Sequence, residues 1–176
     1  MRIGMAVMIV LVGGVVAGCG QPGGTGQAPP STRTVTAPAA QPPPPVHPER
    51  TAACPYLRKE SAQEVNGQHV GQVRISADKS APTCFFYRPS GGLQLTVRPY
   101  KGDSGTAHAL VDQAAPVRTS AKATEPAGWS GGSQPTDSGA VYAVAKGDAA
   151  VVVTTNQRQT IKAKEAAEQT ITALGW

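Results

Sequence analysis

Three cysteines are the residues of this chain most able to form covalent bonds: Cys19, Cys54 and Cys84. A cysteine thiolate can be alkylated by lipid, can pair in a disulfide or can bind a metal, and its surroundings decide among these outcomes. Cys19 directly follows a long apolar run, whereas Cys54 and Cys84 lie in mixed sequence well beyond it. The two settings therefore predict different chemistry.

Residues 1–18 have the three parts of a secretory signal: a positive start at Arg2, an apolar run over residues 3–15, and small residues before a cleavage point. The ending Val16-Ala17-Gly18-Cys19 resembles that of a bacterial lipoprotein signal peptide. The resemblance implies that residues 1–18 are removed and that a diacylglycerol, with acyl chains such as palmitate, is attached to Cys19. The chain would then be held on the extracytoplasmic face of the cell membrane. The alternative is an ordinary cleaved signal with an incidental cysteine.

With Cys19 set aside, Cys54 and Cys84 remain as a pair in an oxidising compartment, and we expect a disulfide between them. The alternatives are two free buried thiols or a metal site. A metal is disfavoured because neither a Cys-x-x-Cys motif nor paired histidines accompany these cysteines. We therefore expect no metal and no cofactor.

The other polar residues form no recognisable catalytic motif. The histidines His47, His69 and His108 are spread along the chain without metal-ligand spacing, and no nucleophile elbow or phosphate-binding loop is present. An enzyme would need His69 or His108 to meet a carboxylate in a cleft assembled from distant segments.

Arginines offer the best candidate for a binding surface. Arg74 and Arg98 are expected to project from one face of a sheet, with Arg88 beside them, and arginine binds carboxylates and phosphates in a bidentate manner. Trp129, in a long loop rich in glycine and serine, is a second candidate. The alternatives are that the arginines are solvated or lie under a helix, and that the tryptophan caps a core.

Composition divides the rest of the chain in two. Residues 19–50, which follow the signal, are rich in proline and glycine and poor in apolar side chains, and this predicts a disordered tether. Residues 51–176 are expected to form a single α+β globular domain. The whole chain carries a net charge of +5. Its basic residues are scattered, so nucleic acid is not an expected partner.

Hydrophobic periodicity in the predicted domain indicates the order α-β-β-β-α-β-β-α, an antiparallel sheet of about five strands with helices packed on it. Ser104 or Thr106 is expected to cap the central helix, and residues 117–138 should form a loop. The other predicted elements are helices over 55–65 and 159–174 and strands over 70–77, 83–88, 93–98, 140–145 and 149–155.

Several segments resemble a family of small actinobacterial lipoproteins known only as a domain of unknown function: Cys54-Pro55-Tyr56-Leu57, Cys84-Phe85-Phe86-Tyr87-Arg88, residues 151–157 and the closing helix. The order of elements is also similar to the fold shared by the Ran-binding protein Mog1 and the photosystem protein PsbP. Such a likeness in fold implies no function.

These features predict a lipid-anchored lipoprotein of the cell envelope that is a non-catalytic binding or accessory module. Its expected partners are the membrane, through the lipid on Cys19, and an envelope protein, polymer or lipid. The first alternative is a carrier of an apolar or lipid ligand in an internal pocket. An enzyme is the second alternative.

Overall fold

The computed structural model describes residues 39–176. The predicted signal peptide, the lipidation of Cys19 and the first part of the predicted tether lie outside these residues. The strands and helices of the described chain follow one another in this order: β1 (Arg50–Thr51), α1 (Lys59–Asn66), β2 (Gln72–Ile75), β3 (Cys84–Tyr87), β4 (Leu93–Lys101), α2 (Ser104–Ala114), β5 (Ala121–Ala123), β6 (Ser130–Thr136), β7 (Gly139–Lys146), β8 (Ala149–Thr155) and α3 (Thr160–Leu174).

The strands form one antiparallel sheet of eight, in the order β1-β2-β3-β4-β8-β7-β6-β5. The predicted sheet of about five strands and the predicted order α-β-β-β-α-β-β-α are therefore wrong. Strand β1 lies at the end of the predicted tether, and β5 and β6 lie within residues 117–138, the predicted loop. These three strands lack the alternating large apolar residues on which strand prediction depends.

Strand β6 shows how a strand can form without alternating large apolar residues. Its sequence has the composition of a turn, yet it pairs with β7 along its whole length. A Cβ atom added to Gly131 would lie 2.0 Å from the carbonyl oxygen of Ala143 on β7. The glycine is therefore needed for close approach between the strands rather than for a turn.

Strands β7 and β8 form a hairpin. Their bounds agree closely with the strands predicted at 140–145 and 149–155. Strand β8 is central, because it pairs with β4 on one side and β7 on the other. Val151, Val152 and Val153 are all buried, because helices cover this strand on both faces.

Helices α1 and α3 pack on one face of the sheet, and α2 packs on the other. Ala163, Ala166 and Ala167 are fully buried, and their small side chains allow α3 to lie close to β7 and β8. The larger of the two cores lies under α1 and α3. The smaller core joins α2 to β7 and β8.

Helix α2 begins one residue after an aspartate cap. Asp103 Oδ1 accepts a hydrogen bond from the backbone N–H of Thr106 at 2.8 Å, which satisfies a free N–H group of the first turn. This hydrogen bond lowers the pKa of the Asp103 carboxyl. Asp103 therefore caps the helix, in place of the predicted Ser104 or Thr106.

The expected disulfide is present: Cys54 is bonded to Cys84, with their Cα atoms 5.7 Å apart. It joins the segment after β1 to the first residue of β3. Beside it, the Tyr56 hydroxyl donates to the carbonyl oxygens of Pro82 at 2.7 Å and Val97 at 3.0 Å. Burial raises the pKa of this tyrosine. Tyr56 and Leu57 are thus core residues that precede α1, which begins at Lys59 rather than at residue 55.

Candidate functional site

Two arginines lie on one face of the sheet, beyond the strands on which α2 packs. Alternate residues of a strand point to the same face, and the strand register places Arg74 of β2 and Arg98 of β4 on the α2 side. Helix α2 packs on β6, β7 and β8. We call the remaining surface the arginine face; it consists of Arg74, Phe85, Thr96, Arg98 and Tyr100.

Residues 39–49, which we call the proline segment, lie on the arginine face. Arg98 donates from Nη2 to the carbonyl oxygens of Pro43 at 3.3 Å and Pro44 at 2.7 Å. Arg74 donates from Nη2 to the carbonyl oxygen of Glu49 at 3.1 Å. Proline has no N–H group, and an extended proline-rich chain has no internal hydrogen bonds. Its carbonyl oxygens are therefore free to accept hydrogen bonds from the guanidinium groups.

The proline segment reaches as far as the start of α2. A Cβ atom added to Gly105 would lie 2.8 Å from Cβ of Ala40, so a glycine at this position leaves room for the segment. At its other end, the backbone N–H of Glu49 donates to the carbonyl oxygen of Ile75 at 2.9 Å. The packed chain thus extends to the N-terminal side of residue 51, into residues 39–50 of the predicted tether.

A cavity of about 260 Å³ lies between the proline segment and the sheet. The segment contributes Pro43, Pro44 and Val46 to its walls, and Thr83, Arg98 and Tyr100 are among the residues that line it from the domain side. Partial burial lowers the pKa of the Arg98 guanidinium, while the negative charge of Asp78 opposes this effect. The segment and the sheet thus form opposite sides of one partly open cavity.

The four predicted surface residues do not form one patch. Arg74 and Arg98 share a face, as the alternation of their strands predicted. Arg88 lies apart from them because it follows the end of β3, where its backbone N–H donates to Gly92 and closes the turn to β4. Trp129 is only 3% exposed and belongs to the larger core, which corrects the hypothesis that it lies on a binding surface. Trp129 lies between β5 and β6 in the sequence, where a loop was predicted, and directly precedes β6.

A cluster of buried amide side chains lies at the end of α1. Asn66 Nδ2 donates to Gln94 Oε1 at 3.0 Å and to Asn156 Oδ1 at 3.2 Å, and the Thr155 hydroxyl donates to Asn66 Oδ1. Simple alternation with Thr96 and Arg98 would place Gln94 on the arginine face, but an irregularity in the pairing of β3 and β4 at Phe86 and Tyr87 reverses the alternation there. No buried side-chain nitrogen or oxygen in residues 39–176 lacks a partner, so this cluster has a structural role.

A second cleft, of about 320 Å³, lies between α2 and strands β5 and β6. His108 and Asp112 line it one helical turn apart, together with Ser120 and Lys122. The Ser120 hydroxyl donates to the carbonyl oxygen of Pro116 at 2.9 Å rather than to the histidine. Within residues 39–176, the ion pairs join other side chains, and His108 and Asp112 take no part in them. His108 and Asp112 therefore line the same cleft without forming an acid–base pair.

Neither a metal-binding group of side chains nor a membrane-spanning helix is present in residues 39–176. No three or more histidine, cysteine or acidic side chains there are grouped so that they could hold a metal ion. None of the helices in that part of the chain is both long enough and apolar enough to cross a bilayer.

Comparison with known proteins gives a family for the chain. No curated protein matches it. The model of a family described as "Domain of unknown function (DUF2020)" matches residues 37–176. This range includes the sheet, its helices and the proline segment. Because the match spans most of the 176 residues, the chain belongs to the DUF2020 family.

Proposed function

We propose that the chain is a lipid-anchored lipoprotein on the extracytoplasmic face of the cell membrane, whose folded part is a non-catalytic binding or accessory module of the envelope. The residues that end at Cys19 support the anchor, and the disulfide between Cys54 and Cys84 supports an oxidising compartment. An actinobacterial origin and a fold like that of Mog1 and PsbP belong to the same proposal. Neither assigns an activity.

The observation that carries the binding role is the hydrogen bonding of Arg74 and Arg98 to the backbone of the proline segment. A guanidinium group offers several donors in a fixed plane and keeps its proton, so it binds and orients acceptors but is a poor acid or base. A face with two such groups is suited to recognition rather than to proton transfer.

The carrier alternative would require an apolar cavity between the helices and the sheet. The alanines of α3 instead place this helix close to β7 and β8. The cleft beside α2 is bordered by exposed residues, among them His108, Asp112 and Val117. These features favour the binding module over the carrier.

The anchor is tested by producing the full-length chain in a bacterium that processes lipoproteins, with Cys19→Ser as the matched variant. The unaltered chain should be recovered from membranes with an intact mass that corresponds to a start at Cys19 plus acyl chains. The serine variant should lack the acyl mass. Membrane-extracted protein with an unmodified Cys19 would contradict the anchor.

The binding role is tested by photo-cross-linking in the same cells. A photoreactive residue at Thr96, on the arginine face, should form adducts with an envelope component, and Arg98→Glu should reduce their yield. The control position is Ile161, which is 50% exposed on α3. Equal labelling from both positions, or labelling from Thr96 that does not depend on Arg98, would count against a role of this face in binding.

A further inference from the structure

The arginine face already holds one proline-rich chain, and this occupant indicates what else the face can hold. We propose that it is a groove for extended proline-rich chains, in which the proline segment is the resident occupant and a proline-rich segment of a partner protein is the exchanging ligand. The inference deepens the proposed binding role and rests on it.

The chemistry of the contact fits this class of ligand. Polyproline II, the extended helix that proline-rich chains adopt, leaves every carbonyl oxygen free, and here one guanidinium group takes two successive carbonyls, those of Pro43 and Pro44. Grooves that bind such chains are commonly lined with aromatic rings. Phe85 and Tyr100 supply rings on this face, and Tyr100 lines the same cavity as the two prolines.

The resident segment is held by a small number of contacts. Pro42 and Pro43 are half-buried, and Pro44 and Pro45 are exposed. Two arginines donate the hydrogen bonds to its carbonyl oxygens, and Pro43, Pro44 and Val46 line one side of the partly open cavity of about 260 Å³. A ligand with a larger side chain at the position of Val46 would fill more of this space and gain contacts that the resident segment lacks.

Competition from the resident segment favours a partner that gains contacts which this segment lacks. The proline segment is part of the same chain as the groove, and a short connection of this kind gives an effective concentration in the millimolar range. The segment of a second copy is identical, so it gains no contact on exchange and meets the same competition. A proline-rich partner that fills the cavity gains contacts and can displace the resident segment.

The test uses the exported chain with Cys19→Ser and a fluorescent peptide with the sequence of residues 41–48. In an opened variant, Pro42→Gly, Pro43→Ser, Pro44→Gly and Pro45→Ser weaken the resident segment. Because the competing segment is removed, the opened variant should bind the peptide at least about tenfold more tightly than the parent chain. A peptide with glycine and serine in place of its prolines should bind neither protein.

Two further substitutions in the opened variant locate the site. Arg98→Gln should weaken peptide binding by at least about tenfold, because it removes the donor to two carbonyls. Arg88→Gln, a matched change outside the arginine face, should leave binding unchanged.

Three results would overturn the inference. The first is an opened variant that keeps the parent's urea midpoint and disulfide but binds no proline peptide. The second is equal affinity for the glycine-serine peptide, which would show that prolines are not recognised. The third is a parent chain that dimerises in light scattering through exchange of its proline segments, which would make a second copy the occupant. None of these results depends on lipidation, so they are distinct from failure of the proposed anchor.

Discussion

The Nη2 atom of Arg98 lies 2.7 Å from the carbonyl oxygen of Pro44, and the two residues are 54 positions apart in the chain. One belongs to a strand in the middle of the sheet, and the other to a segment in which no side chain is fully buried. The contact ties this segment to the domain by hydrogen bonding to its backbone.

Loss of this contact should release the proline segment while the sheet stays folded. We expect Arg98→Gln to lower the ¹⁵N heteronuclear NOE of Gln41, Val46 and His47 to values typical of flexible chain. The matched variant Arg88→Gln should keep the NOE values of the unaltered protein. Unchanged NOE values in Arg98→Gln would show that other contacts hold the segment.

Loss of the disulfide should destabilise the fold. The bond between Cys54 and Cys84 closes a loop with a sequence separation of 30. In the chain-entropy account, replacing both cysteines by serine should lower the free energy of unfolding by about 3–4 kcal/mol. Urea titration with and without reductant measures this change, and reductant should have no effect on the double serine variant. An unchanged midpoint on reduction of the unaltered protein would contradict the prediction.

Loss of the Asn66 side chain should be costly because its partners are buried. Asn66→Ala leaves Gln94 Oε1 and the Thr155 hydroxyl without their present partner. We expect the free energy of unfolding to fall by about 2–3 kcal/mol. Glu64→Ala, an exposed change in the same helix, should alter it by less than about 0.5 kcal/mol. Similar urea midpoints for the two variants would indicate that the cluster contributes little.

Alkaline pH should weaken the fold through Tyr142, whose hydroxyl donates to the carbonyl oxygen of Glu125. Burial, with a smaller contribution from the charge of Glu168, raises the pKa of Tyr142 to about 12, from 10.0 for a free tyrosine. Between these values the unfolded state loses the proton and the folded state keeps it. The contribution of Tyr142 to stability is therefore complete below about pH 10 and is lost as the pH rises to about 12.

Urea titrations from pH 9 to 12 measure this loss. Tyr142→Phe should reduce the decrease in unfolding free energy over that range, although Tyr56, whose pKa is also raised, should leave part of it. Glu168→Gln should lower the pKa of Tyr142, as followed by absorbance at 295 nm. An equal decrease in Tyr142→Phe and the unaltered chain would assign the effect to other groups.

Elements with strong apolar periodicity were predictable from the sequence. The alanines of α3 and the three valines of β8 are apolar because they are buried. The spacing of apolar residues along the sequence therefore predicts these elements directly. Strand β6 was not predictable, because it is held by backbone hydrogen bonds to β7 and by close approach at Gly131. Trp129 was misplaced for the same reason, since its burial depends on β5 and β6.

The candidate site was predictable in part. Alternation in β2 and β4 placed Arg74 and Arg98 on one face. The segment that covers this face could not be predicted, because a composition argument for disorder counts apolar surface and takes no account of carbonyl oxygens that accept hydrogen bonds from arginine. The cluster around Asn66 was missed because the irregular pairing of β3 with β4 changes which side of the strand Gln94 faces.

The disulfide has a mechanical consequence. A pulling force applied to the chain from its N-terminal side would act first on the proline segment and its bonds to Arg98, and next on the short edge strand β1. At Cys54 the force would pass through the sulfur atoms to Cys84, the first residue of β3, which is bonded to β2 and β4. Helix α1 and strand β2 lie between the two cysteines in sequence and would carry none of the tension. The loop between the two cysteines therefore cannot be extended while the disulfide is intact.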